Sequence, residues 1–240
     1  VSATTVFAKT VSAETAFPLA RPDAPRRHGW AWLASDWPRH LRTPLPPDDE
    51  ARVRAWSEAG HPVVVAGRGC GDGDDDVRLG LATPDKTRIA LHLARAGVAR
   101  LRPAPTLEEV NASLATVGWR DSLRVVAEVC RPAGLKTRVY GSVAWTHWSG
   151  LSFLRPGSDV DLLLEIGPES RLPRIDAALR SLLMVSDGPR LDGELVLPGG
   201  LAVAWREWAA RPAEVLVKGC GAPRLVPRRN IVRKIKEQAV

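Results

Sequence analysis

Residues 140–165 read YGSVAWTHWSGLSFLRPGSDVDLLLE. A glycine-serine pair stands at one end and two aspartates, one residue apart, stand at the other. In a strand, residues i and i+2 point to the same side. Asp159 and Asp161 therefore share one face, and Val160, Leu162, Leu164 and Ile166 line the other, core-facing one.

Two like charges about 6 Å apart repel by roughly 3 kcal/mol at an effective dielectric near 20. No lysine or arginine alternates with them on that strand, so a bound Mg²⁺ is the economical counter-ion: a hard cation held by one or two carboxylates, water and phosphate oxygens. Taken alone, an Asp-x-Asp reads first as an exposed strand end with solvated acids. Gly141-Ser142 changes that balance, because the pair follows a strand and opens a helix-like segment. There, glycine lets the backbone approach a phosphate and the free N–H groups favour an anion. A phosphate cradle facing a metal-binding carboxylate pair describes group transfer from a polyphosphate donor.

Outward from this stretch, LKTRVY before it is a strand. SRLPRIDAALRSLLMV after it is a helix with Leu172, Ile175, Leu179 and Leu182 on one face. RLDGELVL alternates as a strand that carries Asp192 and Glu194 on one side, GLAVAWREWAA turns from strand into helix, and AEVLVKG is a last strand. Upstream, Thr106 followed by Glu109 is a capping-box pattern that opens an amphipathic helix, and a second helix over 121–130 stops at Pro132 and Gly134. The basic tail PRRNIVRKIKEQAV fits a docking helix through Ile231, Val232 and Ile235.

Between Gly29 and Arg102 the pattern is different. HPVVVAG, VRLGLAT and TRIALHLA read as strands, and a short helix from Pro47 is closed by Gly60. The chain thus divides into a flexible leader at 1–27, a small β-rich domain at 28–104 and an α/β (α+β) domain at 105–240. GRGCGDGDDD lacks the third glycine of a dinucleotide-binding turn and is followed by a strand, so it reads as a flexible acidic hairpin loop. His147, beside Trp145 and Trp148, reads as a packing residue, and Trp205 and Trp208 as core anchors.

The 240 residues are 45% apolar and 25% charged, with a formal charge of +7 carried mostly by arginine. Such a surface suits an anionic partner. Cys70, Cys130 and Cys220 form no Cys-x-x-Cys pair, which argues against a disulfide framework or zinc site and for a cytoplasmic setting. No export signal or bilayer-spanning run is read.

YGSVAW, a spacer, and GSDVDLLLE together resemble the nucleotidyltransferase signature, a Gly-Ser on a helix start followed by a metal-binding Asp-x-Asp on the next strand. With the spacer THWSGLSFLRPG, the RHGWAWL start, GHPVVV, VRLGLA and RLDGELVLPGGLAVAWREW, the chain is similar to the phosphoribosyl-dephospho-CoA transferases that serve malonate decarboxylase, also called its holo-acyl-carrier-protein synthases. The resemblance implies a nucleotidyltransferase-like mixed sheet with flanking helices. It implies transfer from triphosphoribosyl-dephospho-CoA to a serine of the apo acyl carrier subunit, with loss of pyrophosphate. Carried over, Gly141 and Ser142 hold the triphosphate and Asp159 and Asp161 ligate Mg²⁺ in a two-metal arrangement. A third carboxylate on the neighbouring strand, Asp192 first and Glu194 second, is metal ligand or base. Lys136, Arg138 and Arg155 flank the motif, either as phosphate or carrier contacts or as ordinary surface cations. Neither a membrane nor nucleic acid is expected as a partner. The alternatives are a nucleotidyltransferase that uses an ordinary nucleotide with another hydroxyl acceptor, and a silent binding module on the same fold.

Overall fold

The structure, a computed structural model, describes residues 25–69, 71–113, 117–155, 157–219 and 221–237. Of the expected leader, only residues 25–27 fall among them.

The first half forms an antiparallel sheet from β1 (Trp30–Leu33), β2 (Val63–Val65), β3 (Asp76–Ala82), β4 (Arg88–Ala94) and β5 (Val98–Arg102), in the order β4-β3-β2-β1-β5. Helix α1 (Pro47–Glu58) opens on Pro47, with Asp48, Asp49 and Glu50 in its first turn, where acids complement the helix dipole. Val77, Leu79 and Leu81 alternate inward along β3. Strands β1 and β5 had no clear alternation to announce them: β1 is four residues long, and β5, VARLR, is an edge strand.

In the acidic loop after β2, expected to be flexible, the described residues make ion pairs and hydrogen bonds. The Asp72 carboxylate is buried, accepts the Gly69 N–H at 2.6 Å and takes two hydrogen bonds from the Arg78 guanidinium at 2.7 Å. The sequence gives no warning of this, because Arg78 lies on the following strand.

The second half contains α2 (Leu107–Ser113), α3 (Val117–Cys130), β6 (Leu135–Tyr140), α4 (Gly141–Ser149), β7 (Val160–Ile166), α5 (Leu172–Leu183), β8 (Leu191–Val196), β9 (Ala202–Ala204), α6 (Trp205–Ala209), the hairpin β10 (Glu214–Val217) and β11 (Arg224–Pro227), and α7 (Arg228–Glu237). Its sheet runs β6-β7-β8-β9. Strands β7 and β8 are parallel and joined through α5, while the other pairs are antiparallel. This is a mixed α/β sheet with flanking helices. The capping box forms: the Thr106 N–H donates to Glu109 Oε2 at 2.6 Å, and the Glu109 N–H to Thr106 Oγ1 at 3.3 Å.

One face of the four-stranded sheet is apolar. Val139, Leu162, Leu164 and Leu195 pack there with Leu123 and Val126 of α3 and Ile175 and Leu179 of α5 in a continuous buried cluster. Trp205 and Trp208 are fully buried in it, as core anchors should be, and α7 docks through Ile231 and Ile235. The two halves are joined by tryptophans. Trp145 of α4 meets Trp30 of β1 edge-on at 4.6 Å between ring centroids and Trp56 of α1 at 5.9 Å. The connecting segment is stitched to β6: the Val139 N–H donates to Pro105 O at 2.9 Å, Thr106 bridges to Arg138, and the Arg138 guanidinium donates to Ala104 O at 2.6 Å.

Candidate active site

The strand registers lay three rows across the other face of the four-stranded sheet. Tyr140, Asp161 and Asp192 form the first row. Arg138, Leu163 and Glu194 form the second, and Lys136, Glu165 and Val196 the third. Successive rows are two residues apart, about 6.5 Å along the strands. Asp159 precedes β7 and extends the first row's carboxylates beyond its end.

The first row and its extension bring together the predicted carboxylates Asp161, Asp192 and Asp159. Burial pushes the Asp161 carboxyl up to about 6, and the negative charges of Asp192, Asp159 and Glu194 push in the same direction. Arg190, which the sequence reading passed over because it lies at the entry to β8, reaches Asp159 at 3.6 Å and Asp192 at 3.3 Å. No described cation is paired with Asp161. Asp192 is further oriented by the Gly193 N–H, which donates to its Oδ1 at 2.8 Å. Gly193 has φ of 125°, and a Cβ there would overlap the backbone of Leu162. Only glycine lets β8 come this close to β7 between Asp192 and Glu194.

Gly141 and Ser142 open α4, as the motif requires. Gly141 has φ of 62°, and a Cβ on it would overlap Asp161 Oδ2 and come within 3.0 Å of Asp161 Cγ. Beside the approach to a phosphate that the sequence motif predicts, glycine here leaves room for the central carboxylate. The Tyr140 phenol, on the same row, is held protonated by burial and then by the charges of Glu194 and Asp161.

Glu194, the second choice for the third carboxylate, is committed elsewhere. Its side chain is 3% exposed and takes hydrogen bonds from Arg27 at 2.6 and 2.8 Å and from Lys218 at 3.2 Å, with His28 Nε2 at 3.4 Å. Burial alone would raise its carboxyl, but the contacts with His28 and Arg27 outweigh it and hold the group below the usual range. Burial lowers the proton affinity of His28 despite Glu194, and the ring packs on Tyr140 at 4.0 Å. Arg27, at the end of the expected leader, is therefore part of the site's wall, which a signal 167 residues away in sequence could not reveal.

Replacing Arg27 by alanine leaves a buried carboxylate short of its main partner. The expected cost is about 3 kcal/mol, read as a lower denaturant midpoint. Arg27→Ala/Glu194→Gln should recover most of it; a double variant no more stable than the single one would refute this role. Stability should also fall as pH drops below about 6.5, where the unfolded chain protonates His28, and again near 4.5 as Glu194 follows.

The flanking cations divide. Arg138 is structural, paired with Glu165 at 3.2 Å. Arg155 donates to Pro84 O at 2.7 Å across the domain junction. Lys136 lies at the rim of the inter-domain cavities. His147 packs edge-on against Trp148 at 4.8 Å between centroids, with its proton affinity lowered by burial.

The donor set suits a hard divalent cation, since the oxygens are carboxylates and Asp161 lacks a counter-charge. Among the described residues, however, no three acidic, histidine or cysteine groups already form a metal cage. Two protein carboxylates completed by phosphate oxygens is the arrangement magnesium usually accepts. Also among the described residues, no helix is long and apolar enough to cross a membrane.

Sequence comparison bears on the same residues. The profile of the phosphoribosyl-dephospho-CoA transferase MdcG C-terminal domain matches residues 106–229, and that of the MdcG N-terminal domain matches residues 26–104. A phosphoribosyl-dephospho-CoA transferase of Xanthomonas campestris pv. campestris (strain 8004) is 38% identical over 205 residues, 84% of this chain and 94% of its own. The proteins of that name from Pseudomonas aeruginosa and Bradyrhizobium diazoefficiens are 36% and 33% identical, over 76% and 65% of this chain and 85% and 70% of theirs. No solved structure matches the chain significantly.

Proposed function

The chain belongs to the phosphoribosyl-dephospho-CoA transferase family, and from that premise we propose the reaction it performs. It transfers the phosphoribosyl-dephospho-CoA group from 2'-(5''-triphosphoribosyl)-3'-dephospho-CoA to a serine of the apo acyl carrier subunit of malonate decarboxylase. The observation that carries this reading is the first row: Asp161 and Asp192 in register on parallel strands, against the start of the helix that Gly141 and Ser142 open.

In chemical terms, the carrier serine Oγ bonds to the α-phosphorus as the bond from that phosphorus to the bridging oxygen breaks, and pyrophosphate leaves. The serine proton passes to a carboxylate, for which Asp192 is the candidate: it is half-exposed, oriented by the Gly193 N–H and free of the buried ion pairs that occupy Glu194. Asp159 and Asp161 would hold Mg²⁺, which supplies neutralising charge to the triphosphate and the leaving pyrophosphate. The N–H groups of the first turn of α4, with Ser142, bind triphosphate oxygens. Arg190 lies where a phosphate can replace its carboxylate partners. The +7 charge favours encounter with an acidic carrier.

Intact-mass measurement of an apo carrier subunit incubated with the protein, Mg²⁺ and the CoA-derived donor tests the reading, beside a reaction given ATP. The expected result is a mass gain equal to the phosphoribosyl-dephospho-CoA group, dependent on Mg²⁺ and on Asp161. An unmodified carrier together with consumption of ATP would overturn it in favour of another nucleotidyltransferase reaction.

A further inference from the structure

The second and third rows of the functional face have no task in the chemistry above, yet they floor two adjoining cavities between the domains. One, of about 370 Å³, runs over Leu163, Val196, Leu197 and Pro198 and is largely apolar. The other, of about 650 Å³, is edged by Arg26, Arg95, Arg100, Arg102 and Lys136. Both share Arg26, Arg27, Lys136, Leu163 and Glu165, so they form one cleft under the segment that enters β1.

The charges of the cleft are unevenly answered. Arg27 is spent on Glu194 and Arg138 on Glu165. The Arg95 guanidinium donates to the Val98 carbonyl, and Arg100 lies over the Trp32 ring, 3.7 Å from its centroid. No carboxylate neutralises Lys136 or Arg102 among the described contacts. A cleft with an apolar trough and a surplus of cations suits a ligand with an anionic middle and a long uncharged arm.

We propose that this cleft binds the dephospho-CoA half of the donor, with its diphosphate against Lys136 and the β5 arginines and its pantetheine arm along Leu163, Val196 and Pro198. This rests on the donor named in the preceding subsection. The geometry supports it through the rows. Asp161 and Glu165 lie on one strand face four residues apart, about 13 Å, and in the donor two ribose rings separate the triphosphate from the diphosphate, a span of the same order. One extended molecule can thus lie along β7, its reacting end on the first row and its diphosphate over the third. The cleft then measures the donor: ATP has the triphosphate but nothing to fill it.

The test uses dephospho-CoA alone, titrated calorimetrically into the full chain, with Lys136→Ala and Val196→Trp. Lys136 is exposed, so its loss spares the fold; Val196→Trp fills the trough, and its melting temperature checks that it folds. Both variants are expected to weaken dephospho-CoA binding at least tenfold and to raise the KM for the complete donor similarly, with kcat within threefold of the parent. Unchanged dephospho-CoA affinity in both would overturn the proposal. So would a raised KM for the carrier alone in Lys136→Ala, which would make the cations a carrier-docking edge. Failure of the transferase reading is distinguishable. A chain that modifies no carrier but binds dephospho-CoA through Lys136 keeps this site, and one that modifies the carrier with Lys136-independent dephospho-CoA binding loses only this site.

Discussion

Asp161→Asn is expected to abolish transfer, by roughly a thousandfold or more, while making the ligand-free protein more stable. Asp161 is the carboxylate that burial and three acidic neighbours disfavour most, with its carboxyl pushed up to about 6. A group whose folded pKa is raised adds stability at low pH and loses it as pH climbs from the unfolded value, near 4, to about 6. Above that the penalty is constant. Asparagine removes it, worth about 1–2 kcal/mol after allowance for solvent screening, or a rise in melting temperature of roughly 2–6 °C at pH 7.5. Below pH 4 the two proteins should melt alike. Melts at the two pH values beside a carrier-modification assay decide it. A variant that keeps its turnover, or that melts lower at pH 7.5, would remove Asp161 from the centre of the site.

Gly141→Ala should cost about a hundredfold in transfer. The added methyl meets Asp161 Oδ2, and φ of 62° disfavours any side chain. The least costly relief is to swing the Asp161 carboxylate away, which also separates it from Asp192 and from the α4 start. Because the loss is one of placement, Gly141→Ala should bind Mg²⁺ with donor more weakly than the parent, and Ser142→Ala should lose less activity than Gly141→Ala. Equal activity of Gly141→Ala and the parent would show that the carboxylate does not need this position.

The period of two in DVDLLLE and the glycine-serine turn before it were enough to read Asp161 at the first row's centre and Asp159 beyond its end, and RLDGELVL supplied Asp192, while Tyr140 was not read as part of the site. These are local signals, each carried within one strand or one strand–helix turn. The choice between Asp192 and Glu194 was not legible, because both lie on one strand face. It is the distant Arg27, His28 and Lys218 that commit Glu194 to a buried ion cluster. Arg190 was missed because it lies off the Asp-x-Asp strand, and the staple of Asp72 by Arg78 because a glycine- and aspartate-rich run has the composition of a loose loop whether or not an arginine closes it. Strands β1 and β5 escaped notice because each is short and its pairing partner is far along the chain.

The segment 104–106 is a connector by position only. Pro105 accepts from Val139, Ala104 accepts from Arg138, and Thr106 pairs with the same strand, while Trp30 and Trp56 close on Trp145 from the other side. A hinge needs residues whose torsions can change without breaking contacts, and here each such change opens the edge of the four-stranded sheet. The two family domains are therefore one cooperative unit. Calorimetry should show a single unfolding transition whose measured enthalpy matches its van't Hoff value, with no temperature at which the N-terminal sheet melts alone.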